Sequence, residues 1–410
     1  MFQRVGAAAL KNDLSNTIRL CEDLGNPQLK FKSVHVAGTN GKGSSSHMIA
    51  AIMQAAGYKT GLYTSPHLKE FTERIRIDGR EVDQHFIVDF VNRVKASIEL
   101  IKPSFFELTV AMAFDYFARQ EVDIAIIEVG LGGRLDSTNV ILPEVSLITN
   151  ISFDHMDLLG DTLEKIASEK AGIIKSKIPV VISEMQEEVK SVFTEKAKAL
   201  DAPIQFANDH IHLRTGSDGL TAFHSGKRWL KHVHPQLRGD YQRKNIPGVL
   251  YIILTLREKG FKVPDESIRK GIEQVVTITG LKGRWQKLGE SPLIICDTGH
   301  NSGGIREVVN QIRLTKHDHL HFVLGMVKEK DITHVLDLLP RDATYYFCQA
   351  KIPRALEAGL LAASAKEAGL QGQIIPDVNE AVRTAVKAAQ HNDMVFIGGS
   401  TFVVAEVDGL

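Results

Sequence analysis

Residues 33–57 read SVHVAGTNGKGSSSHMIAAIMQAAG. The β-branched opening, SVHVAG (33–38), has the pattern of a buried strand. SSSHMIAAIMQAAG then repeats apolar residues at helical spacing, with Met48, Ile49, Ile52, Met53 and Ala56 on one face and Gly57 as its stop signal. Between them lies AGTNGKGS, Ala37 to Ser44. A bound phosphate needs backbone N–H groups that approach closely, which glycines at 38, 41 and 43 permit, together with a cation and the positive end of a helix. Lys42 supplies the cation. The string departs from strict GxxxxGK[ST], because Val36 stands where the first Gly belongs and Gly43 precedes Ser44. The plain alternative is a Gly-rich turn with a solvated lysine, and the flanking strand and helix favour the phosphate loop.

Working outward, short β-branched runs alternate with amphipathic stretches, which predicts α/β architecture with mostly parallel sheets. TGLYTS (60–65), DIAIIEVG (123–130) and VSLITNI (145–151) read as strands, and helices are expected from about Glu107 to Arg119 and over TLEKIASEKAGIIK. From 203 to 235 the pattern breaks into short pieces with GSDG and HSGK turns, which predicts a small, peripheral antiparallel excursion. Helices around 243–259 and 266–276 lead to TGLKGRWQKLGESP, the best candidate for a domain boundary. Beyond it LIICD (293–297), HLHFVLGM (319–326), TYYFCQ (344–349) and DMVFIGGS (393–400) alternate with helices. The expected division is 1–285 and 286–410.

Composition narrows the function. The 410 residues carry 49 Lys+Arg against 49 Asp+Glu, so the net charge is zero and a generic nucleic-acid or anionic-membrane surface is not expected. Any anion must be held locally. Three separated cysteines, Cys21, Cys296 and Cys348, form no CxxC pair or disulfide framework, and MFQRVGAAALKNDLSN is a poor leader. No window reaches the roughly 18 apolar residues of a membrane span. A cytoplasmic setting is expected.

A nucleotide loop also calls for magnesium and hard oxygen ligands at the same sheet edge. Glu128 ends DIAIIE, Ser65 ends the neighbouring strand, and His155 in NISFDHMDLLG follows a third strand. Singly, each is as well explained by a cap or a loop hydrogen bond; jointly, they converge on one loop. VGLGGRLDSTN (129–139) implies a tight backbone path beside a ligand, with Arg134 and Asp136 at its rim. Lys170 alone reads as a solvated helix lysine. Arg284 falls in the boundary, and Asp297 ends a first strand, where a ribose hydroxyl or the cap of the next helix explains it equally well.

GTNGKGS, TSPHL with ERIRI (73–77), FFE (105–107), EVGLGGRLDSTN, FDH, EKAGIIK, GRWQ, DTGHN and GMVKEKD occur in this order from about Val34 to Ser400. The chain thereby resembles the folylpolyglutamate synthase and dihydrofolate synthase family of the Mur ligase superfamily. The resemblance implies a P-loop Mur-ligase-like domain with a mostly parallel sheet and a smaller Rossmann-like α/β domain. It implies a ligase in which ATP phosphorylates a carboxylate of dihydropteroate or a folate, and the amine of L-glutamate displaces phosphate.

Carried over residue by residue, Thr39, Asn40, Gly41, Lys42, Gly43 and Ser44 would cradle phosphates, while Ser65, Glu128 and His155 would hold one or two Mg2+ ions. Lys170 matches a lysine that is carbamylated in the family. Asn245, Arg284 and Asp297 match nucleotide contacts, Asp297 on the ribose side. Ser104, Phe105, Phe106 and Glu107, with Leu135, Asp136 and Ser137, match pterin-contacting segments, and His300 matches a residue near the reacting groups. Members are often monomers, and usually carry more chain before the counterpart of MFQRVG. Lys282, Thr298, Gly299 and Tyr241 depart from common family residues without removing a charged group.

Two other readings share the loop. A cell-wall Mur ligase usually carries a separate domain before it, about the size of a small independent domain, whereas only 37 residues precede Gly38. A P-loop switch or hydrolase without ligase activity would have no use for the pterin-matching segments.

Overall fold

The computed structural model describes residues 13–328 and 332–410. Residues 1–12, with most of MFQRVGAAALKNDLSN, and residues 329–331 of GMVKEKD lie outside the described residues. Two compact units divide at Leu281 and Lys282, and two short segments, Phe153–His155 and Arg238–Asp240, pack with the second unit although the chain around them belongs to the first.

The first unit is built on an eight-stranded sheet of order β4-β3-β2-β5-β1-β6-β7-β8. Its strands are β1 (Lys32–Ala37), β2 (Thr60–Tyr63), β3 (Ile75–Ile77), β4 (Arg80–Glu81), β5 (Ile124–Glu128), β6 (Val145–Ile148), β7 (Val180–Ile182) and β8 (Ile204–Phe206). Six run parallel; only β3 and β4 at one edge turn antiparallel. Because strand side chains alternate between faces, Ile124 and Ile126 join one core with Val34 and Val36, while Ala125 and Ile127 face another with Tyr63 and Phe114. Each fully buried Ile or Val contributes about 1.5–3 kcal/mol.

The loop helix, Lys42–Ala55, differs from the one-faced helix expected: every residue from Ser44 to Met53 is buried. Helices Gln242–Glu258, Asp265–Glu273 and Val275–Thr279 cover its outer side, and Ile246, Val249, Leu250, Ile268, Ile272 and Val275 share its core. Near Gly271 the backbones approach so closely that a Cβ would stand 2.6 Å from Ile52 N. The expected antiparallel excursion is also revised. Ile204–Phe206 extends the main sheet as parallel β8, and the antiparallel part is the three-stranded sheet β9 (Ile211–Gly216), β10 (Gly219–His224) and β11 (Lys227–Val233). It is not peripheral, since Ile211, Leu220, Ala222, Leu230 and Val233 enter the loop-helix core.

The second unit holds a six-stranded sheet of order β12-β13-β17-β14-β15-β16, parallel except for β12. The strands are β12 (Gln286–Glu290), β13 (Leu293–Cys296), β14 (Leu320–Leu324), β15 (Thr344–Phe347), β16 (Gly372–Ile374) and β17 (Met394–Gly398). The segment GRWQKLGE, expected as an interdomain boundary, is therefore largely an edge strand. Trp285 is buried against Phe396, ring centroids 5.8 Å apart, which anchors it in this core.

Candidate active site

In the first unit β1 lies between β5 and β6, so the loop leaving β1 emerges beside the ends of both. Gly38 has φ +141°, and a Cβ there would stand 1.8 Å from Thr149 Oγ1 just beyond β6. The loop is pinned to that strand end: Thr39 N–H donates to Asn150 O (2.8 Å), Asn40 N–H to Asn150 Oδ1 (2.9 Å), and Thr149 Oγ1 to Asn40 O (2.6 Å). Lys42 Nζ folds back on the carbonyls of Gly38 (3.0 Å) and Thr39 (3.1 Å). Gly41, at φ +87°, precedes the loop helix and provides no side-chain cap. The first helical N–H groups, the helix dipole and Lys42 are thus concentrated at one concave turn, which fits phosphate.

Asn245 is brought to this turn from 204 positions along the chain, because its helix covers the loop helix; its Oδ1 would stand 2.1 Å from a Cβ on Gly41. Asn245 Nδ2 donates to Gln242 Oε1 (2.8 Å), and Gln242 Nε2 to Ser44 Oγ (3.1 Å).

Glu128 closes β5 in register with Val36, two residues before the loop, and is 5% exposed. Ser65 lies two residues beyond the end of β2, the strand on the other side of β5. Carboxylate and hydroxyl oxygens at adjoining strand ends suit a hard divalent cation. Lys170 is not solvated: 3% exposed, it donates from Nζ to Gly38 O at 3.0 Å. The following glycine-rich turn packs on the helix that carries Lys170. A Cβ on Gly133 would meet Glu169 O at 2.7 Å, Arg134 N–H donates to Glu169 O (2.8 Å), and the Arg134 guanidinium pairs with the Glu169 carboxylate (2.8 Å).

The pterin-matching residues divide into two kinds. Phe105 lies 5.7 Å from Phe71 and under the Arg74 guanidinium (5.5 Å), and Phe106 packs against Tyr63 (6.2 Å) and Gly130. Ser104 and Glu107 instead form a capping box on the helix Phe105–Arg119, and Glu107 also accepts from Asn16 Nδ2 (3.2 Å). Asp136 is likewise committed to backbone: it accepts from Leu131 N–H (2.9 Å) and Thr138 N–H (3.0 Å). Burial pushes its carboxyl above the usual range, against these donors. Ser137 begins a short 3-10 turn, and Leu135 is half-buried beside it. Burial and the neighbouring Arg74 lower the pKa of His67 to about 4, so His67 Nδ1 accepts from Arg74 Nε (2.9 Å).

The second unit brings together His155, Asp154, His300 and Asn301. Asn301 Nδ2 donates to Asp154 Oδ2 (3.0 Å), and His300 Nε2 lies 3.6 Å from the same oxygen. His300 Nδ1 meets Thr298 O at 3.0 Å, so the network assigns the proton to Nδ1. His155 Nε2 stands 3.9 Å from Asp154 Oδ1. Asp297 does not cap the next helix; Asn301 does, accepting from Gly304 N–H (2.7 Å). Asp297 instead accepts from Trp285 N–H (2.7 Å) and Gly299 N–H (2.8 Å), while the Arg284 guanidinium donates to Thr298 Oγ1.

Residues 36–252 match the Mur ligase middle domain, and residues 283–401 match the Mur ligase glutamate ligase domain. The chain is 31% identical, over 97% of its length and 94% of the relative's, to the dihydrofolate synthase/folylpolyglutamate synthase of Bacillus subtilis. It superposes on Escherichia coli FolC in complex with DHPP and ADP with a TM-score of 0.87, at 29% identity, covering 98% of this chain and 94% of that one. The bifunctional folylpolyglutamate synthase/dihydrofolate synthase of Yersinia pestis, complexed with AMPPNP and Mn ion, gives a TM-score of 0.86 at 30% identity, covering 98% and 94%. The chain belongs to the dihydrofolate synthase/folylpolyglutamate synthase family of Mur ligases.

Several residues that the structure packs around the candidate site escape a reading of the sequence. Gln242 carries a usable signal, standing three positions before Asn245 and so on the same helix face. Thr149 and Asn150 directly follow an apolar strand, where ligand-facing loops begin. Asp154 is visible in FDH only as a neighbour of His155. Arg74, 6% exposed, is visible in ERIRI only as part of a string shared with the family. No helix among the described residues is long and apolar enough to cross a membrane.

Proposed function

We propose that the protein activates the carboxylate of dihydropteroate or a folate as an acyl phosphate and joins it to L-glutamate. It is an ATP-dependent acid–amino-acid ligase of folate biosynthesis that uses a divalent metal. The carrying observation is the uncapped start of the loop helix, with Lys42 and a Gly41 turn too tight for a Cβ.

In this reading Thr39 to Ser44 hold the ATP phosphates through backbone amides and the Lys42 charge, and Asn245 lines the turn. Arg284 and Asp297 bind the nucleoside, Asp297 on the ribose side. Ser65, Glu128 and His155 hold magnesium; when bound, it neutralises phosphate charge and polarises the phosphoryl group. Phe105 and Phe106 flank the pterin, with Leu135 and Ser137 on the adjoining turn. These groups align a substrate carboxylate oxygen with the terminal phosphoryl group, which transfers as ADP leaves. The glutamate nitrogen then attacks the acyl carbon, phosphate departs, and the amine proton is lost. Lys42 and Arg284 offset the charge that develops on oxygen. Thr298 O and Asp154 orient His300 beside the reacting groups.

Lys170 as a carbamate would add a further anion to the metal site, and a bicarbonate-dependent 13C carbamate signal lost in Lys170→Arg would support it. We place the protein in the cytoplasm as a monomer with small-molecule partners only, its ATP-binding and smaller C-terminal domains dividing at Leu281 and Lys282 rather than at 285 and 286. Purified protein with ATP, magnesium and glutamate is offered dihydropteroate and tetrahydrofolate separately, with products resolved by mass. Phosphate release is expected only when glutamate and a pterin substrate are both present. Lys42→Ala should abolish product while keeping a near-normal melting curve. Glutamate-independent hydrolysis, or ligation by Lys42→Ala, would overturn the proposal.

A further inference from the structure

His35 occupies the middle of β1 with no exposed surface. Val34 and Val36 point toward the loop helix, so His35 points to the opposite face. An apolar residue would fill such a central-strand position without the cost of burying an imidazole, which requires compensating hydrogen bonds. His35 Nε2 lies 2.9 Å from Thr138 Oγ1, and Thr138 is itself wholly buried. His35 Nδ1 has no hydrogen-bond partner among the described residues, so the ring makes a single directed contact.

That contact continues. Thr138 Oγ1 bonds to Asp136 Oδ1, the carboxylate that already gathers the Leu131 and Thr138 amides. Asp136 Oδ1 accepts the hydrogen bond donated by the Thr138 hydroxyl, which leaves the hydroxyl oxygen to accept from His35 Nε2–H. Burial, with the Lys175 cation nearby, lowers the His35 pKa to about 3 and keeps the ring neutral. The adjoining Asn139 closes the turn by donating to Arg134 O (3.0 Å) and Gly172 O (3.1 Å), and Lys175 Nζ donates to Asn139 O (2.8 Å). Three residues after His35, the same strand passes into the phosphate loop.

We infer that His35 is a positioning residue: through Thr138 and Asp136 it fixes the turn Gly130–Asn139, and with it the placement of the pterin-linked substrate relative to the phosphate loop. The functional half of this inference rests on the ligase reading above. The structural half does not.

The test uses the full chain with His35→Leu, His35→Gln, Thr138→Val and the double variant His35→Leu/Thr138→Val. Loss of one buried hydrogen bond corresponds to about a tenfold change. His35→Leu should lower hydrogen-exchange protection of the Leu131 and Thr138 amides about tenfold, with β5 unchanged, and raise KM for the pterin-linked carboxylate about tenfold while KM for ATP stays within about twofold. His35→Gln, which keeps a hydrogen-bonding head, should recover most of both. The double variant should be no worse than either single one, because all three break the same chain. Unchanged protection in His35→Leu, or a Gln variant as poor as Leu, overturns the inference. Should His35→Leu fail to fold, Thr138→Val gives the same readouts with the strand untouched. If the wild type forms no ligated product, the ligase reading falls, and amide protection still decides the role of His35.

Discussion

At Gly41 two independent constraints fall on one residue. Its φ of +87° disfavours any L side chain, and a Cβ would stand 2.1 Å from Asn245 Oδ1. Gly41→Ala should therefore destabilise the protein by about 1–3 kcal/mol through backbone strain and weaken nucleotide binding as the loop moves. Adding Asn245→Ala should relieve the clash but leave the strain, so urea unfolding of the pair should show partial recovery. Full recovery would mean that φ contributes nothing. Lys170 makes the complementary point: by sequence it is one more lysine on a helix, yet it is buried with its amine on the carbonyl of Gly38.

Among the elements, the helix Phe105–Arg119 shows how one short string divides its work. In SFFE the two phenylalanines line the turn beside Tyr63, Phe71 and Gly130, while Ser104 and Glu107 satisfy the helix's own N-terminal amides. Ser104→Ala should cost about 1 kcal/mol of stability, typical of a lost N-cap, and affect catalysis only through the placement of Phe105 and Phe106. Denaturant unfolding alongside KM for the pterin substrate checks this. A large loss of kcat with stability intact would instead make Ser104 a direct substrate contact. The strand, loop and helix of residues 33–57 were legible in the sequence because their signals are contiguous. The burial of that helix on all sides was not, because the helices covering it begin almost 200 residues later.

For the whole molecule, the zero net charge conceals internal histidines that resist protonation. His35 has a pKa of about 3 when folded, against about 6.5 in an unfolded chain. Between those values the unfolded state binds a proton that the folded state refuses. The stability from this group is complete above pH 6.5 and is lost as pH falls, by about 1.4 kcal/mol per pH unit. Urea midpoints measured from pH 7 to pH 4 should decline more gently in His35→Gln than in the wild type, by that single-proton slope. Parallel curves would show that His35 titrates normally.

The α/β alternation, the glycine-rich loop with Lys42, the carboxylate at the end of β5 and the family were all legible along the chain, because each is written in neighbouring residues whose chemistry is local. The tertiary structure alone decided that His35 meets Thr138, 103 positions away, and that Lys170 meets Gly38, 132 away. It also decided that Gln242 meets Ser44, 198 away, and that Phe153–His155 packs with the second unit. These pairings follow from which strands lie side by side and which helices cover them. Buried polar groups must find partners wherever the packed backbone brings them, and that placement has no periodicity to read along the chain.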